Sequence, residues 1–163
     1  MRNDPDYWGP FYNVFADTVG EWEEEARKEC SRDELVLPTT DREIDEPLGM
    51  IGYFNPFTLS PFFRGLEIWY QVHPNARRRG VATEATCILV NHRFNVRPIE
   101  RIQATVVVGN EGSCRVLERA GMQRDGLLRN VFFLEGGYHD MHLYSIVRSD
   151  WGSESVYREG RDF

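Results

Sequence analysis

Leu66-Glu67-Ile68-Trp69-Tyr70-Gln71-Val72-His73-Pro74-Asn75-Ala76-Arg77-Arg78-Arg79-Gly80-Val81-Ala82-Thr83 runs from a strand-like segment, through a proline, into an arginine-rich turn and a helix. Leu66–Val72 is rich in β-formers and predicts a strand. Pro74 ends it, because proline brings no N–H to a sheet ladder. Residues 81–94 predict a helix, with Val81, Ala85, Ile88, Leu89 and His92 on one face. Where the helix starts, backbone N–H groups are free and the helix dipole is positive. Gly80 has no Cβ, so an oxygen-rich group can approach the backbone there, and Ala82 keeps the next approach open. Arg77, Arg78 and Arg79 carry guanidinium groups suited to phosphate. Two readings stand at this point: a pyrophosphate site at a helix N-terminus, and a basic surface turn or ordinary glycine-containing helix start.

Outward from this segment, residues 34–39 and Leu48–Phe54 read as earlier strands, separated by a polar turn. The loop 55–65 holds two prolines and three phenylalanines. It reads either as an exposed contact surface or as rings folded back on the core. Aromatic residues 7–15 suit a short amphipathic helix, and residues 17–30 a second one, with Glu24 and Lys28 paired on its outer face. Ile102–Val108 predicts a strand and 111–120 a helix with Gly121 as its left-handed cap. Two strands follow, near Gln123–Leu134 and His139–Val147, with a turn at Gly136-Gly137. The order is helix, helix, three strands, helix, strand, helix, two strands. It predicts an α/β (α+β) chain with one mixed sheet flanked by helices. Residues 1–151 read as one domain and 152–163 as a polar tail.

The chain has 163 residues, enough for one domain, and a hydrophobic fraction of 41% that supports an ordinary core. A formal charge of -7 argues against broad nucleic-acid binding, which needs a basic face. Acidity suits an amine-bearing partner, and equally suits simple solubility. Cys30, Cys87 and Cys114 form no disulfide framework and lack metal-ligand spacing. Each reads as a small buried residue, and no metal site is expected. No apolar run reaches the length of a membrane span. A cytoplasmic location is expected, with no membrane partner.

Arg77-x-x-Gly80-x-Ala82 resembles the Gln/Arg-x-x-Gly-x-Gly/Ala signature of the GNAT acyltransferase superfamily. Asn110-x-x-Ser113 followed by Glu118-Arg119-Ala120-Gly121-Met122 is similar to the Asn-x-x-Ser…Glu-Lys-x-Gly-Phe segment of the branch that acetylates ribosomal-protein N-termini. Asp125–Arg129, Gly137–Asp140, Tyr144-Ser145 and Trp151 continue the likeness, which covers about residues 20–151.

That resemblance implies a GNAT-like fold, acetyl-CoA as cofactor, and transfer of acetyl to an amine on a small molecule or a peptide N-terminus. The family's central strand splays from its neighbour and admits pantetheine between them. Here the backbone of Val72 and His73 would line that slot. Residues 77–83, namely Arg77, Arg78, Arg79, Gly80, Val81, Ala82 and Thr83, would hold the pyrophosphate. Asn110 would contact the pantetheine side, and it can also cap the 111–120 helix.

Glu67 is the candidate base, acting directly or through water. It can equally be a structural carboxylate. Many relatives place a tyrosine acid where Leu117 stands, and Ser113 resembles the replacement donor of the ribosomal branch. Ser113 can also be a capping residue. His139-Asp140 lies near the substrate end in relatives, and a hairpin salt bridge is the plainer role for Asp140. Met122 replaces a common phenylalanine in the core. Relatives begin with a strand before the Trp22 region. The first 16 residues therefore improvise an edge, or leave one open, or a partner copy in a homodimer covers it. A catalytically silent acyl-CoA-binding module is the alternative to the enzyme.

Overall fold

A computed structural model describes residues 34–40, 47–56 and 64–153. The expectations for the two N-terminal helices, the Glu24–Lys28 pair, Cys30, the edge ahead of residue 34, the phenylalanine loop from 57 to 63 and the segment beyond 153 lie outside the described residues.

Among the described residues, six strands form one sheet: β1 (Glu34–Thr40), β2 (Pro47–Phe54), β3 (Gly65–Val72), β4 (Arg101–Val107), β5 (Gln123–Leu134) and β6 (Gly137–Val147). Their spatial order is β1-β2-β3-β4-β6-β5. Only β3 and β4 pair in parallel; every other neighbouring pair is antiparallel. Helix α1 (Val81–Val96) makes the crossover between those two strands, and α2 (Glu111–Arg119) connects β4 to β5. A short 3-10 turn, Pro74–Ala76, follows β3. The mixed sheet and flanking helices expected from the sequence are present. The last hairpin turns one residue early. Glu135 and Gly136 take φ of 51° and 83°, the pair of positive angles that a two-residue turn needs, and Gly137 is left to open β6.

One face of the sheet packs against α1 and α2. Ile51, Tyr53, Leu66, Ile68, Ile102, Ala104, Val106, Tyr144 and Ile146 meet Leu89, Val90, Phe94, Cys114 and Leu117 in one core. Cys87 and Cys114 are buried thiols and Met122 is a core residue, as the sequence suggests. The other face carries Glu67, Gln103 and Ser145 abreast in the strand register.

The buried face of α1 differs from the expected one. Ile88 is 48% exposed and His92 is exposed, while Thr86, Cys87, Leu89, Val90, Arg93 and Phe94 face inward. Apolar residues surround this helix, so periodicity alone does not select a face. Tertiary contacts do: Phe94 meets Trp151 with ring centroids 5.4 Å apart, and the Arg93 guanidinium lies 4.4 Å from the centre of the Tyr53 ring.

Helix α3 (Arg148–Ser153) extends past Trp151, whose indole N–H donates to Asn91 Oδ1 at 2.6 Å. Arg148 donates to the carbonyls of Phe94, Arg97 and Ile99 at 3.0, 2.6 and 2.8 Å. Two of these lie at the C-terminal end of α1, where carbonyls lack helical partners.

Leu117 is fully buried at the centre of the core. Leu117→Ala is expected to cost about 2–5 kcal/mol, through lost transfer energy and the cavity left behind. Urea unfolding monitored by circular dichroism checks this, with a lower midpoint and an unchanged slope.

Candidate functional site

The parallel ladder between β3 and β4 is short. It pairs Gly65 with Arg101, Leu66 with Ile102 and Glu67 with Gln103, and then ends, although β3 continues to Val72 and β4 to Val107. Beyond Glu67 the strands part. His73 donates its N–H toward β2, to the Leu48 carbonyl at 2.7 Å. Alternation along an extended strand therefore points the N–H and C=O of Tyr70 and Val72 the opposite way, toward the gap. A cavity of about 630 Å³ opens here, lined on the β3 side by Tyr70, Gln71 and Val72, and on the α2 side by Asn110, Ser113 and Val116. Gln71 is 7% exposed, and neither polar atom of its side-chain amide has a hydrogen-bond partner among the described residues.

The mouth of the cavity is the turn into α1. Arg77, Arg78, Gly80, Val81, Ala82 and Thr83 all line it. Gly80 is the N-cap of α1 with φ 84°, a left-handed conformation that disfavours any residue with a Cβ. A Cβ built on Gly80 would meet nothing within 4 Å, so the space before it is open. No side chain caps the first turn of α1, which leaves its backbone donors to a ligand or to water. Arg77 Nε donates to the Val72 carbonyl at 3.2 Å and ties the turn to the end of β3. Arg78 also has positive φ, 62°. The cavity lining omits two expected contacts. Arg79 is exposed outside it, and His73 uses its ring Nδ1 to accept the Asn75 N–H at 3.2 Å, capping the 3-10 turn.

On the opposite wall, Asn110 caps α2 by accepting the Ser113 N–H at 3.1 Å. Its side-chain oxygen is thereby used, while its residue also lines the cavity, so both expected roles are compatible. Ser113 is not the capping residue; its amide is the one capped. The Tyr70 hydroxyl donates to the Ser113 carbonyl at 3.2 Å, joining β3 to α2 across the gap. Tyr70 was legible only as a strand residue; its separation from Ser113 in sequence hides the contact. Leu117 sits in the core and not in the cavity, so the position of the absent tyrosine is filled by packing.

Glu67 lies on the other face of β3, at the last paired rung. Its Oε2 accepts from Gln103 Nε2 at 3.0 Å and its Oε1 from Thr105 Oγ1 at 2.9 Å. Arg101 Nε donates to Gln103 Oε1 at 3.0 Å, and its NH2 group to Asp125 Oδ2 at 2.5 Å. Ser145 Oγ donates to the same Asp125 oxygen at 2.7 Å. Burial alone would raise the Asp125 carboxyl; the bonds from Arg101 and Ser145 outweigh it and hold the group below the usual carboxylate range. Asp140 makes a different contact from the expected salt bridge: its Oδ1 accepts the Asn130 N–H at 2.9 Å, satisfying a residue with φ 53° at an irregularity of β5. His139 Nε2 lies 3.2 Å from the Leu134 carbonyl. Among the described residues, no group of three or more His, Cys, Asp or Glu side chains could hold a metal ion. No helix among them is long and apolar enough to cross a membrane.

Residues 1–123 match the family model described as Acetyltransferase (GNAT) domain. The chain is 35% identical over 107 residues to the uncharacterized N-acetyltransferase YoaA of Bacillus subtilis, covering 66% of this chain and 59% of that protein. It is 31% identical over 106 residues to the putative ribosomal N-acetyltransferase YdaF of the same organism, covering 65% and 56%. It thus spans less than two thirds of the length of either relative. The crystal structure of spermidine N-acetyltransferase from Vibrio cholerae in complex with CoA and spermine has the same fold, with TM-score 0.73 at 22% identity, over 92% of this chain and 85% of that one.

Burial pushes the Tyr70 phenol well above its ordinary value, partly offset by a hydrogen bond with the Ser113 side chain. The folded state thus favours the neutral phenol. That stabilisation is complete below the ordinary tyrosine value of about 10 and is lost as pH climbs toward the raised folded value. Between about pH 10 and 12, the urea midpoint of Tyr70→Phe is expected to fall less steeply than that of the parent chain. Parallel slopes would show that the Tyr70 proton carries no such linkage.

Proposed function

Because the chain belongs to the GNAT acetyltransferase family, we propose that it binds acetyl-CoA between β3 and β4 and transfers the acetyl group directly to a primary amine. The observation that carries this reading is the early end of the β3–β4 ladder beside an uncapped helix N-terminus. An anion is favoured at that terminus by free N–H groups and the dipole. Arg77, Arg78, Gly80, Val81, Ala82 and Thr83 would hold the pyrophosphate. The slot lined by Tyr70, Gln71 and Val72 would take the pantetheine arm. The unpartnered Gln71 amide and the gap-facing backbone of Tyr70 and Val72 suit an arm that carries amides of its own. Asn110 faces the same slot. His73 and Arg79, which do not line the cavity, are left out of this set.

Bound acetyl-CoA supplies an acyl thioester activated toward amines. The chain's part is to bind, orient and move protons. Glu67 takes the proton of the acceptor amine, directly or through water. The Val72 N–H, turned toward the gap, donates to the oxygen on which charge develops. The Ser113 hydroxyl, on a residue of the cavity wall, is the donor for the departing sulfur in place of the absent tyrosine. The acceptor is a protein N-terminus or a small aminated metabolite. One relative carries a ribosomal name and a structural neighbour a polyamine one. The charge of -7 favours a cationic acceptor of either kind.

Calorimetry is expected to show acetyl-CoA binding, with a rise in melting temperature at millimolar ligand. Absence of both would sink the reading. Gly80→Val, which adds a side chain in the open space and strains a left-handed residue, is expected to weaken binding about tenfold or more. Thiol release with a panel including spermidine and alanine-led peptides separates an enzyme from a silent binding module. Glu67→Gln is expected to lower kcat about a hundredfold or more; full turnover across pH would remove Glu67 as the base.

A further inference from the structure

We propose that Gln103 and Thr105 are positioning residues for Glu67, with Arg101 and Asp125 fixing which end of the Gln103 amide faces it. This rests on Glu67 being the proton acceptor assigned above. The argument starts from what each group can do. A glutamine side chain has one accepting oxygen and one donating NH2, whereas a guanidinium only donates. Arg101 therefore claims the Gln103 oxygen, at 3.0 Å, and turns the NH2 onto Glu67 Oε2, at 3.0 Å. Thr105 donates to the second carboxylate oxygen at 2.9 Å. Arg101 is held in turn by Asp125, and Asp125 by the Ser145 hydroxyl. The orientation of one amide is thus traceable across β3, β4, β5 and β6.

The location adds to the argument. Glu67↔Gln103 is the last paired rung before β3 and β4 part. The Thr105 bond reaches from β4 beyond that rung back to β3, where the backbone ladder has ceased. Side chains here do the work that main-chain bonds do on the earlier rungs. A carboxylate has about four acceptor positions, and Gln103 and Thr105 use two. Capacity remains for an amine or water proton, while the carboxylate has lost its freedom to swing. Catalytic groups gain most from such fixed placement, since small displacements cost large factors in rate.

The experiment compares Gln103→Met, Thr105→Val and Thr105→Ser, each alone and combined with Glu67→Gln. Melting temperatures serve as the folding control. Gln103→Met and Thr105→Val are expected to lower kcat about ten- to a hundredfold with KM for acetyl-CoA unchanged. Thr105→Ser, which keeps the hydroxyl, should restore most of the rate. In the Glu67→Gln background the same changes should add nothing. Losses of equal size in both backgrounds would overturn the proposal, because the residues would then act independently of Glu67. A readout free of turnover uses crystal structures of the parent and the Gln103→Met/Thr105→Val double variant. Glu67 is expected to leave its position, and a carboxylate that stays in place without both donors also overturns the proposal. Full turnover by Glu67→Gln itself would instead overturn the base role, leaving the crystallographic comparison to decide whether the donors hold the carboxylate.

Discussion

Parallel strands pair less favourably than antiparallel ones and need a crossover to bring them together. Among the described strands the single parallel pair is also the briefest ladder, running from Gly65↔Arg101 to Glu67↔Gln103. Its two strands are each anchored on their outer sides, β3 to β2 along its length and β4 to β6 along its length. They are therefore free to part without either leaving the sheet. The gap between them, the direction of the Tyr70 and Val72 backbone groups, the position of α1 at the mouth and the place of Glu67 at the vertex all follow from where that ladder stops. A longer parallel ladder would close the cavity and bury Glu67 against a continuous sheet.

Two classes of polar group then meet at the gap. On the core side the Tyr70 hydroxyl ties β3 to α2, whose first turn the Asn110 side chain caps. On the other side a line of side chains joins four strands through Glu67, Gln103, Arg101, Asp125 and Ser145. The first set fixes the wall of the cavity, and the second fixes the side chains around Glu67 on the opposite face of the sheet.

Much of the fold was legible because its signals are local. The proline after β3, the glycine at the start of α1, the cap at Asn110 and the glycine after α2 each act within a few residues. The strand boundaries follow from the same local chemistry. The buried face of α1 was not legible, since apolar residues point several ways and the choice is made by Tyr53 and Trp151, far off in sequence. The site divides in the same way. The loop from Arg77 to Thr83 could be read as an anion turn, and the resemblance to a family made it a cofactor loop. The partners of Glu67 and the contact of Tyr70 with Ser113 join residues some forty positions apart, so no window of sequence displays them. Arg79 was read from its guanidinium and His73 from the expected slot beside Val72, and neither lines the cavity.

The clasp of Arg148 and Trp151 on the far end of α1 bears on the order in which the protein is made. Synthesis delivers α1 well before residues 148–151, and domains complete their folding as their parts emerge. Until those residues arrive, the carbonyls of Phe94 and Arg97 lack the guanidinium that satisfies them, and Asn91 lacks its indole. The helix that begins at Gly80 is thus secured late at its opposite end. A nascent chain carries the arginine-rich turn long before it carries the means to hold that turn's helix still.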